Sequence, residues 1–151
     1  MADSLRELIL QNVETTLEGI TTGAGYEQTV NHVVRGKLNP GTPEQYPLIV
    51  IYEAPMTAET EHYGSTTKHL QLSLEVWTKS GGDNPSVVIN KLLADIEKAL
   101  EAAPTRGGYA IDTWYLGDEL VFSTTDDSEI GALVFIQINF RNIRTNPYSL
   151  V

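Results

Sequence analysis

Leu70-Gln-Leu-Ser-Leu-Glu-Val-Trp77 alternates strictly between apolar and polar side chains. Successive side chains of a β-strand point to opposite faces, so this stretch predicts a strand with one face in a core and the other in water. The segment Gly131 to Arg144 repeats the alternation and is predicted as the last strand. Its inward-facing residues are expected to be Val134, Ile136, Ile138 and Phe140.

An amphipathic helix is predicted upstream, from Asp3 to Ile20. Apolar residues recur there every three or four positions, which places them on one face of a helix. Asp3 or Ser4 can cap the start, and Gly19 suits the end.

A second helix is predicted after the alternating strand. Asp83 or Asn84 can cap it, and Pro85 suits its first turn. Its inner face is expected to carry Val88, Ile89, Leu92, Leu93, Ile96 and Leu100, and its solvated face Asn90, Asp95, Glu97, Lys98 and Glu101.

Three other segments are predicted as strands: Tyr26 to Arg35, Leu48 to Tyr52 and Tyr109 to Leu116. The second is apolar throughout, so both of its faces are expected to be buried. The third should turn Ile111, Thr113 and Tyr115 to one side, and Leu120 to Thr124 either extends it past a bulge or starts another strand. The connections are predicted as loops or turns: Gly36 to Pro47, Ala54 to Thr66, Gly117 to Glu119 and Thr125 to Glu129.

The predicted order is helix, three strands, helix, then two or three strands. Consecutive antiparallel strands with two amphipathic helices form an α+β fold, a two-layer sandwich in which a mainly antiparallel sheet carries both helices on one face. The length of 151 residues fits a single domain spanning residues 1–151.

Charge and composition exclude several classes of function. Twenty acidic residues against ten basic ones give a net charge of -10, which disfavours binding to nucleic acid or to an anionic membrane. The chain has no cysteine, which excludes disulfides, thiolate metal sites and cysteine nucleophiles. We expect a soluble protein, because no stretch approaches the ~20 apolar residues of a membrane span and the first residues lack the features of a signal peptide.

No catalytic, cofactor or metal site is predicted. His32, His62 and His69, with Glu59 and Glu61, match no metal-binding spacing, and H-E-x-x-H and G-x-S-x-G are absent. The adjacent carboxylates Asp118 and Glu119 are expected to be exposed in a polar turn. The aromatic residues Trp77, Trp114 and Tyr115 are predicted to pack in the core, with an oligomer interface as the alternative.

Two surfaces are candidates for protein contacts. The outer face of the sheet is polar without dense charge, and it either stays wet or packs against another subunit. Leu133 and Phe135 break that pattern, so their end of the last strand is expected to be covered. The Ala54 to Thr66 loop offers adaptable contact groups. The predicted interface residues are Met56, His62, Tyr63, Gln71 and Glu75.

The whole pattern resembles the tail terminator family of long-tailed phages, head-tail joining proteins that close the tail tube. The resemblance covers most of the chain. It lies in the order of elements, the Pro47-Leu-Ile-Val-Ile-Tyr-Glu53 strand, the Leu70 to Trp77 strand leading through a glycine turn into the Val87 to Leu100 helix, and the ending Arg141-Asn-Ile-Arg-Thr-Asn-Pro-Tyr148.

The resemblance implies a non-enzymatic virion protein at the tail-head junction, made in the host cytoplasm. It implies a homo-hexameric ring that contacts the tail tube protein and the head connector protein. DNA would pass through its lumen without specific binding, which suits an acidic wall because such a wall repels phosphate. The predicted lumen or rim residues are Glu59, Glu61, Asp118, Glu119, Asp126, Asp127 and Glu129.

Other functions remain open at this point. A different neck or tail ring component, such as a completion or connector protein, would share the same sequence features. A small metal-dependent hydrolase would use the histidines and carboxylates, and an acidic adaptor that mimics DNA would use the net charge.

Overall fold

A computed structural model describes residues 2–36, 45–60, 64–122 and 129–151 of the chain. Two helices lie on one face of an open, mostly antiparallel sheet of seven strands, so the predicted α+β two-layer fold is confirmed. The elements are α1 (Leu5–Glu18), β1 (His32–Arg35), β2 (Leu48–Glu53), β3 (Thr57–Thr60), β4 (Ser65–Lys79), α2 (Pro85–Ala102), β5 (Asp112–Phe122), β6 (Glu129–Ile143) and β7 (Asn146–Leu150).

A long two-stranded ribbon forms the centre of the sheet. β4 and β6 are antiparallel and paired along all 15 residues of each strand, from Ser65 opposite Ile143 to Lys79 opposite Glu129. At about 3.3 Å per residue the ribbon is about 45 Å long. The strand order is β1-β2-β4-β6-β5, with β3 added to β4 beyond β2 and β7 added to β6 beyond β5. Only the β1–β2 pair is parallel among the described strands.

The alternation in β4 and β6 produces the predicted core. Leu70, Leu72, Leu74 and Val76 are at most 2% exposed, and the four predicted residues of β6 are equally buried beside them. The apolar stripes of α1 and α2 pack on this inner face in one continuous cluster. The sequence pattern therefore decides which side of the sheet the helices cover.

The predicted helix ends are confirmed. Ser4 Oγ accepts a hydrogen bond from Glu7 N at 3.2 Å, and Gly19 follows the last turn of α1. Asn84 caps α2 by accepting from Ser86 N at 3.0 Å, with Pro85 in the first turn. Each cap satisfies a backbone N–H that has no partner inside its own helix.

The β1 and β3 regions differ from the prediction. β1 begins at His32 and not at Tyr26, because the preceding backbone bonds elsewhere: Val30 N donates to Ile20 O at 2.9 Å. The predicted Ala54 to Thr66 loop contains β3 and the first residues of β4, which gives four strands before α2. All four residues of β3 are exposed, so the sequence of this strand has no apolar alternation from which it could be predicted.

The β5 region also corrects the prediction. The strand begins at Asp112, and Ile111 is 50% exposed and not turned inward. Gly117 to Glu119 is not a turn: β5 continues through it with a bulge that leaves Leu116 unpaired opposite β6. Asp118 lies opposite Val134 and Glu119 opposite Leu133, so the two neighbouring carboxylates point to opposite faces of the sheet.

Asp95 is buried, although the helical pattern predicted it in water. Asp95 is only 4% exposed. It lies on the side of α2 that faces the segment following α1. Its Oδ1 accepts from Glu27 N at 3.1 Å and its Oδ2 from Gln28 N at 2.8 Å. The carboxylate thus satisfies two backbone donors of a segment that belongs to no helix or strand.

Arg106 is a second buried charge that the sequence did not indicate. It is 0% exposed and donates to the carbonyl oxygens of Leu100 and Ala103, at the end of α2. Burial lowers the pKa of its guanidinium. The partial negative charge of a helix C-terminus compensates a cation in this position, so Arg106 closes α2.

We expect Asp95→Asn to destabilise the fold by about 1–3 kcal/mol, because the amide places a donor against a backbone N–H. Urea unfolding followed by far-UV circular dichroism measures the change. Glu101→Gln, an exposed site on the same helix, is the matched control and should change stability by less than about 0.5 kcal/mol. Equal losses in the two variants would contradict the role assigned to Asp95.

Candidate interaction surface

The outer face of the sheet, on the side away from the helices, is the candidate interaction surface. Strand pairing groups its side chains into rows that cross β4, β6 and β5. The rows are His69–Asn139–Asp112, Gln71–Gln137–Trp114, Ser73–Phe135–Gly117, Glu75–Leu133–Glu119 and Trp77–Gly131–Val121. The polar residues predicted for this face, Gln71, Ser73, Glu75, Gln137 and Asn139, therefore come together on it.

One row is a continuous polar network across four strands. His69 Nδ1 lies 2.6 Å from Asn139 Oδ1, and Asn139 Nδ2 donates to Asp112 Oδ1 at 2.6 Å. On the other side, His69 Nε2 lies 3.8 Å from a carboxylate oxygen of Glu59 on β3. Asn139 is only 7% exposed, and the network satisfies its amide. His69 is thus held by its neighbours and does not stand alone as a surface histidine.

The opposite end of the outer face is covered by aromatic side chains. Trp77 Nε1 donates to Glu75 Oε1 at 2.7 Å, and the Trp77 ring lies over Gly131. Burial raises the pKa of Tyr52, and its hydrogen bond to Glu75 raises that pKa further. Glu75 therefore accepts hydrogen bonds from both Trp77 and Tyr52 within the outer face.

Tyr46 is a further residue of this region that sequence reasoning missed. Its hydroxyl donates to Glu129 Oε1 at 2.6 Å, and burial followed by this bond raises the pKa of Tyr46. Leu48 and Val50 on the same face are 2% exposed, so β2 is buried on both faces as predicted. The bond joins residues 83 positions apart, and no sequence signal marks it.

Large apolar side chains remain exposed towards β5. Trp114 and Leu116 are each 52% exposed and Phe135 is 38% exposed. Trp114 does not pack in the core, whereas its neighbour Tyr115 is half-buried against it. Phe135 is not covered within the described part of the chain. Such a patch, bordered by polar groups, is typical of a protein contact surface.

The predicted interface residues are not all equivalent. Gln71 is exposed and donates to Gln137 at 3.4 Å, whereas Glu75 is half-buried. Met56 is half-buried against the core, with its sulfur 3.9 Å from Arg6 Nη1. His62 and Tyr63 lie outside the described residues.

The predicted lumen residues lie in separate places. Glu59 is exposed at one end of the β4–β6 ribbon and Glu129 lies at the other. Glu119 is exposed on the outer face, and Asp118 accepts from the Tyr115 hydroxyl at 2.6 Å on the helix side. Three predicted residues, Glu61, Asp126 and Asp127, lie outside the described residues.

Within residues 2–36, 45–60, 64–122 and 129–151, no group of three or more histidine or acidic side chains is placed to hold a metal ion. Neither helix of these segments is long and apolar enough to cross a bilayer. What the outer face presents is aromatic area, amides and carboxylates.

We expect Gly131→Ala to displace Trp77, because a Cβ at position 131 would lie 2.7 Å from the indole ring. Overpacking of this kind costs about 1–3 kcal/mol. The displacement can be read from Trp77 fluorescence in a Trp114→Phe background, where Trp77 is the only tryptophan. Gly23→Ala, which has room for a methyl group, is the control. An unchanged Trp77 spectrum and unchanged stability would refute this account.

No family model matches the chain, and no curated protein matches it in sequence. A solved structure does match, a chain from the "Virion of native gene transfer agent (GTA) particle". The TM-score is 0.57 at 15% sequence identity, and the match covers 86% of this chain and 92% of that chain. What the two chains share at this identity is the fold, over nearly the full length of both.

Proposed function

We propose that this protein is a structural component of a phage-like virion, and within that class a tail terminator that caps the tail tube and joins it to the head. The observation that carries the proposal is the fold shared with a chain of the gene transfer agent virion, across 86% of this chain and 92% of the other. The resemblance of the sequence pattern to tail terminators points independently to the same kind of particle.

The arrangement of polar groups supports a structural role without catalysis. His69 is bound on one side by Asn139 and faced on the other by Glu59. Asp118 and Glu119 point to opposite faces, so they do not form a pair of acid-base groups. The described polar side chains thus stabilise the sheet and its surface, which is what a building block requires.

Ring assembly needs two different patches on each subunit, because the contact between neighbours in a ring is heterologous. We propose the outer face of the sheet as one patch, with Gln71 and Glu75 in it. The 54–66 segment, with Met56, His62 and Tyr63, contributes the second. Six copies are what the family resemblance implies.

The lumen is proposed to be acidic at its two openings. Glu59 and Glu129 lie opposite Thr67 and Lys79 of β4. Twelve residues of an extended strand separate those partners, which corresponds to about 40 Å. Glu59 and Glu129 are therefore too far apart to lie at the same opening of the lumen. A β4–β6 ribbon that runs along the lumen would place one of them at each opening. Acidic mouths repel phosphate, so DNA slides past without adhering.

The first prediction of this proposal concerns mass in solution. We expect light scattering to show about six chains per particle at high protein concentration. Because each chain carries a charge of -10, the ring fraction should rise as salt increases from about 0.01 to 0.15 M, where the screening length falls from about 30 to about 8 Å. A monomer or dimer at every protein and salt concentration would contradict the ring.

The second prediction concerns the lumen. Particles assembled with Glu59→Lys and Glu61→Lys together should release DNA more slowly, because the lysines attract phosphate. DNA release can be followed by dye fluorescence after triggering. The control is Glu18→Lys with Glu27→Lys, which makes the same charge change at exposed positions of the helical layer. Release as fast as in the unmodified particle, with normal assembly, would refute the lumen assignment.

A further inference from the structure

We propose that the free edge of β5 is a docking site for an extended, basic segment of a partner polypeptide, which adds to the sheet as a strand. In the described chain β5 pairs with β6 along one side, and no strand pairs with its other side. The backbone N–H and C=O groups along that side of an 11-residue strand have no ladder partners. An extended peptide can satisfy them by strand addition.

The side chains along β5 favour an occupant with apolar residues. Trp114 and Leu116 are each 52% exposed and Leu120 is 36% exposed. Because the bulge at Leu116 shifts the alternation by one residue, Trp114 lies on the outer face and Leu120 on the helix side. An added strand would cover part of this apolar area on both faces of the sheet. This gain adds to the backbone hydrogen bonds.

The charges along β5 favour a basic occupant. The strand carries Asp112, Asp118 and Glu119 and no lysine or arginine. Burial and the hydrogen bond to Asp118 are the main causes that raise the pKa of Tyr115, and the nearby charge of Glu97 on α2 raises it further. A segment with lysine or arginine at alternate positions would therefore meet opposite charges on either face of the sheet.

A second copy of this chain fits the edge less well. Antiparallel pairing of two β5 strands would bring acidic residues against acidic residues. The other open edges, β1, β3 and β7, have only four or five residues each, and the one arginine of β1 is occupied. Arg35 donates both Nη1 and Nη2 to the two oxygens of Glu7, at 2.7 and 3.0 Å. Among the described edges, β1, β3 and β7 carry no other lysine or arginine, so the proposed occupant is a different polypeptide.

The bulge at Leu116 limits the length of the docked segment. It divides β5 into two runs, Asp112 to Tyr115 and Gly117 to Phe122, whose registers with β6 differ by one residue. A straight strand can follow only one run at a time, so the site selects short segments and resists the addition of long flat strands.

A groove extends the site at the start of β5. It has a volume of about 260 Å³ and is lined by Tyr109, Ile111, Arg141, Leu150 and Val151 among others. β7 pairs with the same side of β6 as β5 does, so β7 lies in line with β5. A segment that runs past Asp112 would reach this groove and could place a terminal apolar residue between Ile111 and Leu150.

This inference rests on the edge of β5 and not on the ring. It assigns Asp118 and Glu119 to a partner contact and removes them from the candidates for the lumen. A chain that forms rings but binds no strand, or that binds a strand but forms no ring, would separate the two proposals.

The test uses an acetylated and amidated peptide of nine residues that alternates lysine and valine, added to the ¹⁵N-labelled full-length protein. We expect chemical-shift changes concentrated on the β5 amides. The affinity should be about threefold to fivefold lower for Asp118→Asn with Glu119→Gln, because the lysines of an alternating strand share one face and lose the charge contact with whichever of the two carboxylates lies on that face. The matched control, Glu18→Gln with Glu27→Gln, removes the same charge from exposed positions outside β5 and should bind normally.

A second peptide separates strand addition from general charge attraction. It has the same sequence with N-methyl groups on every second residue. Two versions are made, one methylated at the odd-numbered residues and one at the even-numbered residues. Strand addition predicts that at least one of the two methylated peptides loses binding, because its methyl groups block the amides that face β5. Several results would overturn the proposal: equal binding by all peptides, equal loss in both protein variants, or no binding at about 1 mM peptide in low salt. Self-association that rises on neutralising Asp118 and Glu119 would assign the edge to a second copy and would also overturn it.

Discussion

The β4–β6 ribbon is the constraint on which the rest of the structure depends. It is about 45 Å long, whereas the 18 residues of α2 extend only about 27 Å. α2 alone can therefore cover only part of the ribbon. At the end near Ser65 and Ile143, β3 and β7 flank the ribbon, and its buried positions include polar residues, Thr66, Thr67 and Asn142.

The fold could be predicted from the sequence wherever one periodic pattern decided the outcome. The alternation in β4 and β6 and the helical stripes of α1 and α2 predicted the layers, the core and the caps. The prediction was wrong where backbone partners decided it. β3 forms because Thr57 to Thr60 pair with β4, and Asp95 is buried because two N–H groups of a distant segment need its carboxylate. Neither partner is visible in a local window of sequence.

The candidate surface was predictable only in part, for the same reason. Alternation correctly predicted that Gln71, Glu75 and Gln137 share a face. It could not predict that Asn139 joins His69 to Asp112, because these contacts depend on the register between strands. The bulge at Leu116 had the largest effect, since a shift by one residue exchanges the faces of Asp118 and Glu119: Asp118 turns to the helix side and Glu119 to the outer face.

The open edges of the described sheet are unequal, and this has a consequence for how the molecule can polymerise. The longest of them, β5, has 11 residues and a negative charge, while β1, β3 and β7 have only four or five residues each. A fibril built by edge addition requires each copy to offer an edge that the next copy can match. Among the described strands no other edge matches β5 in length, and a second β5 would meet it with like charge, so a copy docked at one edge would not present a matching edge to the next.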